Sequence, residues 1–238
     1  MYIDREKARD YAEAAFEISE RINYSQGIAD YMVRIGTASM LDYDYSMAEV
    51  YFNNALELRK EIGVVSDVVS TFNLLGSLDF NQNNFLNAIG HYKSGLSIAE
   101  PETSSDLIAH IYNNLSNCYR RIGNYESAIQ AINTGIEIKQ KLGDDISSAK
   151  LIVTLGNWYF ELDNYDEAKN RYEWALLTFR KYNDNKGVAR SYLNIGNCLY
   201  RLGKLDGAQG FLDGSLKKIE FLDSESIANL YRTRGNVY

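Results

Sequence analysis

A small residue returns every forty positions along this chain of 238 residues, and this period constrains the fold more than any other feature. The small residues are Gly36, Gly76, Ser116, Gly156 and Gly196, with Gly235 following after 39 positions. Twelve positions after each of the first five stands an alanine: Ala48, Ala88, Ala128, Ala168 and Ala208. Self-similarity at a fixed period of this length indicates a stack of structural repeats, each packed on its neighbours.

The spacing inside each repeat is helical. Four residues after each alanine comes a large side chain, and three residues further comes a second small one. The large set is Phe52, Tyr92, Ile132, Tyr172 and Leu212, and the small set is Ala55, Gly95, Gly135, Ala175 and Ser215. Steps of three and four place these columns on one helix face. Short breakers such as Gly123-Asn124, each followed by an apolar residue, divide every repeat into two helices.

This pattern resembles the tetratricopeptide repeat, which has an aromatic residue, Leu-Gly, Tyr, Ala-x-x-x-Phe and a terminal Pro. With the small residue counted as position 8, Leu75, Leu115 and Leu155 occupy position 7. The period here is 40 where the family standard is 34, and the terminal proline is missing, as in the 40-residue subclass of Pins-type proteins and bacterial sensory regulators. The resemblance implies an all-α fold, a right-handed superhelical solenoid of antiparallel helix hairpins whose helices are longer than usual.

We therefore divide residues 1–238, as one solenoid, into five repeats and two partial ones. The divisions are 1–24 (a second-type helix), 25–64, 65–104, 105–144, 145–184, 185–224 and 225–238 (a first-type helix). The leading segment is interpreted as a second helix because the alanine column continues back to Ala8, Ala12 and Ala15. We expect the second helices to begin near Tyr45, Phe85, Tyr125, Tyr165 and Leu205, and we interpret the chain as an excised piece of a longer polypeptide.

Charge and composition argue against several partners and compartments. The formal net charge is −7, which disfavours binding to nucleic acid or to an anionic membrane. The sequence has neither an apolar run long enough to span a bilayer nor a basic head followed by an apolar core, so we expect no membrane segment and no signal peptide. With Cys118 and Cys198 alone, a disulfide framework is not available. We expect a cytoplasmic protein.

The sequence contains no recognisable catalytic motif, and we predict that the protein is not an enzyme and needs no cofactor or metal. Phosphate-binding loops, zinc helices and nucleophile elbows are missing. Ser147 to Lys150 spell S-x-x-K, but they stand where a first helix starts, so Ser147 is interpreted as a cap. His91 and His110 lie in different repeats without a cluster of ligands. The two cysteines lie two repeats apart and are expected to be buried, inert thiols.

In a solenoid of this kind the first helices line the concave groove, and positions 2, 5, 6, 9, 12 and 13 of each first helix form the outward stripe. This stripe is basic on an acidic chain. Its cations are Arg34, Arg120, Arg121, Lys150, Arg190, Arg201 and Arg232, whereas its carboxylates are Asp30 and Glu161. We therefore expect a protein or peptide ligand that is acidic.

Asparagine is the second feature of the stripe. Position 9 holds Asn117, Asn157, Asn197 and Asn236. An amide both donates and accepts, so a ladder of amides can pair with an extended peptide backbone whatever its sequence. The ladder resembles those of the kinesin light chains, O-GlcNAc transferase and Pins-type proteins. The alternative is that these amides only solvate the helix or bond within the solenoid. The predicted peptide-binding residues are Asn73, Asn113, Asn117, Arg120, Arg121, Lys150, Asn157, Arg190, Asn194, Asn197 and Arg201.

Two functions from different classes follow. The first is a non-enzymatic protein–protein interaction module that holds an extended, acidic peptide in its groove. The alternative is a sensory or regulatory arm of a larger bacterial signalling protein, a sensor kinase or transcription regulator, which acts through ligand binding or self-association. A phosphatase of the aspartyl-phosphate regulator type is a third possibility, but it needs a catalytic side chain that the sequence does not identify. The two-carboxylate clamp of chaperone-binding repeats is absent, since no position 5 holds lysine. Exposed repeat ends predict weak homo-oligomerisation.

Overall fold

The computed structural model describes residues 13–14, 16–100 and 103–237, and within them it contains helices and turns but no strand. Residues 13–14 and 16–21 are helical. The helices that follow are α1 (Ser25–Leu41), α2 (Tyr45–Ile62), α3 (Val65–Asn81), α4 (Phe85–Ile98), α5 (Ser105–Arg121), α6 (Tyr125–Lys141), α7 (Asp145–Glu161), α8 (Tyr165–Lys181), α9 (Asn185–Arg201), α10 (Leu205–Leu216) and α11 (Ser224–Val237), with a 3₁₀ turn at Ile219–Phe221. The predicted fold class, consecutive helix hairpins without a sheet, is confirmed.

The predicted starts of the second helices are also confirmed. Helices α2, α4, α6, α8 and α10 begin at Tyr45, Phe85, Tyr125, Tyr165 and Leu205. α11 provides the trailing first-type helix. The residues that predicted a leading second-type helix, Ala8, Ala12 and Ala15, lie outside the described residues. The expectation of long helices holds unevenly, since α4 has 14 residues and α10 has 12, whereas α6 and α8 have 17 each.

A left-handed residue makes the turn inside each hairpin. With the small residue counted as position 8, it stands at position 15 of each of the five repeats: Tyr43 (φ 63°), Asn83 (φ 62°), Gly123 (φ 79°), Asp163 (φ 57°) and Gly203 (φ 71°). Glycine, asparagine and aspartate tolerate this conformation best, which explains the breakers seen in the sequence. The next residue often caps the second helix, as when the Asn124 carboxamide oxygen accepts from the Ser127 backbone N–H at 3.1 Å.

The small residues at position 8 let the two helices of a hairpin approach closely. A Cβ atom added at Gly76 would lie 2.5 Å from the Tyr92 ring, and one added at Gly156 would lie 2.7 Å from the Tyr172 ring. The alanines twelve residues later are fully buried: Ala48, Ala88, Ala128, Ala168 and Ala208. Both columns are therefore fixed by packing, because a larger side chain would push the helices apart.

The chain forms two compact units, which divide after Ala131. In the first unit one core gathers Val69, Tyr92 and Ile111, and in the second unit a core gathers Leu193, Leu212 and Leu230. The helix pairs that pack within each unit are adjacent or next-but-one along the chain. Within the described part of the chain, no helix combines the length and the apolar character that a bilayer crossing requires.

Buried cations at position 31 were not expected from the sequence. Arg59 is 7% exposed, and its guanidinium donates to the Thr71 hydroxyl at 2.9 Å, to the Asp67 carbonyl at 3.1 Å and to the Asp30 carboxylate at 2.8 Å. Lys139, at the same position two repeats later, is 4% exposed and lies 3.3 Å from the Asp144 carboxylate. Both side chains are buried with hydrogen-bond partners, which offsets the cost of removing a cation from water.

Candidate functional site

The predicted peptide-binding residues all lie on first helices, and none of them is buried. Helices α3 and α5 carry Asn73, Asn113, Asn117, Arg120 and Arg121 in the first unit. Helices α7 and α9 carry Lys150, Asn157, Arg190, Asn194, Asn197 and Arg201 in the second. Arg121, Lys150, Asn157, Arg190 and Arg201 are exposed and the others are half-buried. Solvent therefore reaches both candidate faces.

A pocket of about 220 Å³ lies on the first-helix face of the first unit. Its lining residues are Ser77, Phe80, Asn81, Tyr92, Asn114 and Asn117. Asn117 alone belongs to the predicted set. Two other predicted residues, Asn73 and Asn113, accept hydrogen bonds from the asparagines of the pocket. Asn114 donates to the Asn73 side chain at 3.0 Å, and Asn117 donates to the Asn113 carbonyl at 3.0 Å.

The hydroxyl of Tyr92 reaches this pocket from the second helix. It lies 3.2 Å from the Ser77 hydroxyl, which donates to the Asn73 carbonyl at 2.9 Å. Because the serine has one hydroxyl hydrogen, Tyr92 donates to Ser77 and keeps its own oxygen free to accept. Burial raises the pKa of Tyr92 well above its usual value, so the phenol stays neutral.

The second unit repeats this arrangement with an asparagine. Tyr172, the counterpart of Tyr92, donates its hydroxyl to the Asn157 amide oxygen at 2.8 Å. In the next repeat Leu212 replaces the tyrosine, and the Asn197 amide oxygen is buried without a hydrogen-bond partner in the described part of the chain. The amides of the position-9 column thus differ in their surroundings. The alternative interpretation, bonding within the solenoid, holds for the oxygen of Asn157 and for one N–H of Asn117, whereas the N–H groups of Asn157 have no partner among the described residues.

Two arginines of the stripe pack on the hairpin turn of the preceding repeat. Arg121 donates to the Asn83 side chain at 3.1 Å and lies 4.9 Å from the centre of the Phe85 ring. Arg201 lies 3.1 Å from the Asp163 carboxylate and 4.6 Å from the centre of the Tyr165 ring. The spacing of 38 residues in both pairs is a sequence signal that would have identified them. These contacts fix the direction of both guanidinium groups.

Carboxylates outside the stripe offset part of its positive charge. Arg190 forms an ion pair with Asp223, whose pKa is held below its usual range by the Ser226 backbone N–H first and by Arg190 as well. Arg201 is paired with Asp163. Conversely, Arg59, which is not part of the stripe, forms an ion pair with Asp30, one of the two carboxylates of the stripe. The stripe therefore keeps more cations than carboxylates, and Arg121 and Lys150 are among its exposed cations.

The two cysteines are buried, and each of the two histidines lies beside a carboxylate. Cys118 and Cys198 are free and fully buried, as expected, and burial raises the pKa of each thiol to about 12. His91 pairs with Asp79 at 3.4 Å and His110 with Asp106 at 3.3 Å. Among the described residues, no three His, Cys, Asp or Glu side chains come close enough together to hold a metal ion.

Comparison with known families gives a match over most of the chain. The model of the tetratricopeptide repeat family matches residues 67–141 and 147–217. No curated protein matches the sequence significantly.

Solved structures share the fold at low sequence identity. BtubC (BKLC) from P. vanneervenii is 19% identical with a TM-score of 0.79, and the match covers 92% of each chain. Aspartyl phosphate phosphatase F from Bacillus subtilis is 13% identical with a TM-score of 0.80, covering 93% of this chain and 59% of that one. A Rap protein complexed with Competence and Sporulation Factor is 18% identical with a TM-score of 0.66, covering 97% of this chain and 68% of that one. At these identities the likeness establishes the fold alone.

Proposed function

Because this chain belongs to the tetratricopeptide repeat family, we propose that it is a non-enzymatic interaction module that binds an extended, acidic segment of a partner protein on its first-helix faces. The family match supports a scaffold that presents side chains from stacked helix hairpins. The fold likeness to a Rap protein solved with a bound factor is compatible with this role.

The observation that carries the proposal is the pairing of accessible amides with accessible cations on the same helices. Asn157 and Lys150 lie on α7, and both are exposed. The Tyr172 hydroxyl occupies the Asn157 oxygen and so turns the amide N–H groups toward other acceptors. An extended peptide offers a backbone carbonyl to such a donor, and its acidic side chains suit the cations.

The proposal is tested with pools of extended peptides that have acidic, neutral or basic composition. We expect the acidic pool to bind best, and its affinity to fall with added salt, since exposed charges are screened over about 8–10 Å at physiological ionic strength. Replacing Asn157→Ala together with Asn197→Ala should weaken all bound peptides alike, by about 0.5–1.5 kcal/mol for each lost hydrogen bond. Replacing Arg121→Glu together with Arg190→Glu should weaken acidic peptides selectively.

Matched controls lie on the second helices. Asn170→Ala on α8 and Lys141→Glu on α6 change an exposed asparagine and an exposed cation away from the stripe. These two variants should bind like the wild type. If they weaken binding as strongly as the first-helix variants, or if the preferred peptides bind independently of salt, the first-helix faces are not the binding surface.

The second candidate is a regulatory arm of a larger signalling protein. It is supported by the likeness to phosphatase F and to the Rap protein, since the chain covers 59% and 68% of those two chains. In that case adding the acidic peptide pool to the complete natural polypeptide should change the activity of an attached output domain. A natural polypeptide made of repeats alone would exclude this candidate.

A further inference from the structure

The pocket of the first unit has the dimensions of a side-chain site. Its volume of about 220 Å³ is roughly seven times the share of liquid volume that one water molecule takes. Its lining residues come from both helices of one hairpin, α3 and α4, and from the first helix of the next, α5. It opens on the face where we place an extended peptide, so a side chain of that peptide can enter it.

The polar groups of the pocket are held in fixed directions. Ser77 uses its hydrogen on the Asn73 carbonyl, and Tyr92 uses its hydrogen on Ser77. The Tyr92 oxygen is therefore left as an acceptor. Asn114 and Asn117 each spend one amide N–H on a neighbour, at 3.0 Å in both cases, and keep a second N–H and an oxygen. The pocket thus offers acceptors and donors together.

The lining carries no charged residue. It consists of one serine, one phenylalanine, one tyrosine and three asparagines, and the tyrosine stays neutral because burial raises its pKa. A carboxylate or an ammonium group would lose water here without gaining an opposite charge. An aliphatic side chain would leave the Tyr92 oxygen and the amides without partners. A carboxamide matches the pocket, because it donates and accepts at one end and is neutral.

We infer that this pocket is a specificity site for an asparagine or glutamine side chain of the bound segment. The inference rests on the proposed function for its biological context, since it names one side chain of the peptide that the first helices hold. Phe80 supplies the apolar wall against which the methylene groups of that side chain pack. The preference for acidic peptides then comes from the cations of the stripe, and the preference for a carboxamide side chain comes from this pocket.

The test uses capped amino acids, N-acetyl-glutamine methylamide against its glutamate and leucine analogues. All three share the same backbone amides, so a difference among them reports the side chain. Binding is followed by NMR through the side-chain amide signals of Asn114 and Asn117. We expect saturable shifts with the glutamine compound, and an affinity at least about threefold higher than that of the other two, the effect of about one added hydrogen bond.

Tyr92→Phe removes the accepting oxygen and should lower the affinity for the glutamine compound by about threefold. The variant is expected to fold, since the first repeat already has Phe52 at this position. The matched control is Tyr43→Phe, which removes a hydroxyl from an exposed tyrosine of the same unit that does not line the pocket, and it should leave the affinity unchanged. Equal binding of the three compounds, absence of a saturable shift, or equal loss in both variants would each overturn the inference.

The outcome separates this inference from the proposed function. Capped glutamine that binds the pocket while no peptide pool binds would support the pocket and reject the extended-peptide module. Acidic peptides that bind through Arg121 and Asn157, with glutamine and leucine equivalent at every position of the peptide, would support the module and reject the pocket.

Discussion

The hydroxyl of Tyr172, on a second helix, donates a hydrogen bond of 2.8 Å to the amide oxygen of Asn157, on the first helix of the same hairpin. A side chain of the hairpin core thereby determines which way a surface amide points. The same connection, from Tyr92 to Ser77, orders the pocket of the first unit. Polar side chains of the first helices are therefore oriented by the packing layer beneath them.

Tyr172→Phe should lower the free energy of unfolding by about 1 kcal/mol, because it removes one partly buried hydrogen bond and keeps the ring. A double-mutant cycle with Asn157→Ala isolates the contact. Denaturant unfolding of the four proteins measures it, and additive effects of the two substitutions would show that the hydrogen bond contributes nothing.

Ala168→Leu should destabilise the protein by about 1–3 kcal/mol, because the alanine is fully buried where two helices approach. Ala228→Leu on α11 provides the matched control, since Ala228 is exposed. Thermal melts compare the two variants with the wild type. A melting temperature that falls equally in both would contradict a tightly packed alanine column.

Tyr43→Asn should stabilise the protein by about 0.5–1 kcal/mol. Tyr43 has a φ of 63° and is 79% exposed, so its side chain gains little from burial while its backbone is in a conformation that asparagine accepts more readily. Tyr43→Ala keeps a Cβ without the local hydrogen bonding of asparagine and should not give this gain. Chemical denaturation of both variants decides between backbone strain and a general effect of removing the ring.

Stability should fall between about pH 9 and pH 12 in a way that depends on the buried thiols. Burial raises the pKa of Cys198 from 9.0 to about 12. Below pH 9 the thiol is protonated in both states, whereas above it the unfolded chain loses the proton that the folded chain retains. Each thiol then costs up to about 1.4 kcal/mol per pH unit. Unfolding measured across this range should have a shallower slope in Cys198→Ala than in the wild type.

The hairpins could be predicted because their determinants are local. The turn at Gly123 and its equivalents requires a left-handed residue, and the columns of Gly76 and Ala88 are small because helices cross there. These requirements recur with the period, so a single sequence displays them repeatedly. The hydrogen bond between the second-helix tyrosine and the first helix could also have been predicted, since Tyr92 and Tyr172 stand opposite a polar position 9 in their own repeats.

Several contacts of the fold and of the candidate site are not encoded by the period. Arg59 and Lys139 are buried although the same position holds Ala99 and Phe179 in other repeats, so no column marks them. The ion pair of Arg190 with Asp223 joins a helix start to a loop 33 residues later. Counting charges along the stripe therefore missed which of its cations have carboxylate partners.

Because packed helices are near neighbours along the chain, an optical signal from one repeat reports on that repeat and those beside it. Both tryptophans of the protein, Trp158 on α7 and Trp174 on α8, belong to a single hairpin, and the first is buried while the second is 41% exposed. Intrinsic fluorescence is thus a local reporter of the fourth repeat, whereas circular dichroism averages over every helix. If the fluorescence and circular dichroism transitions superimpose, the hairpins unfold as one cooperative unit. If the two transitions separate, the hairpins unfold one after another.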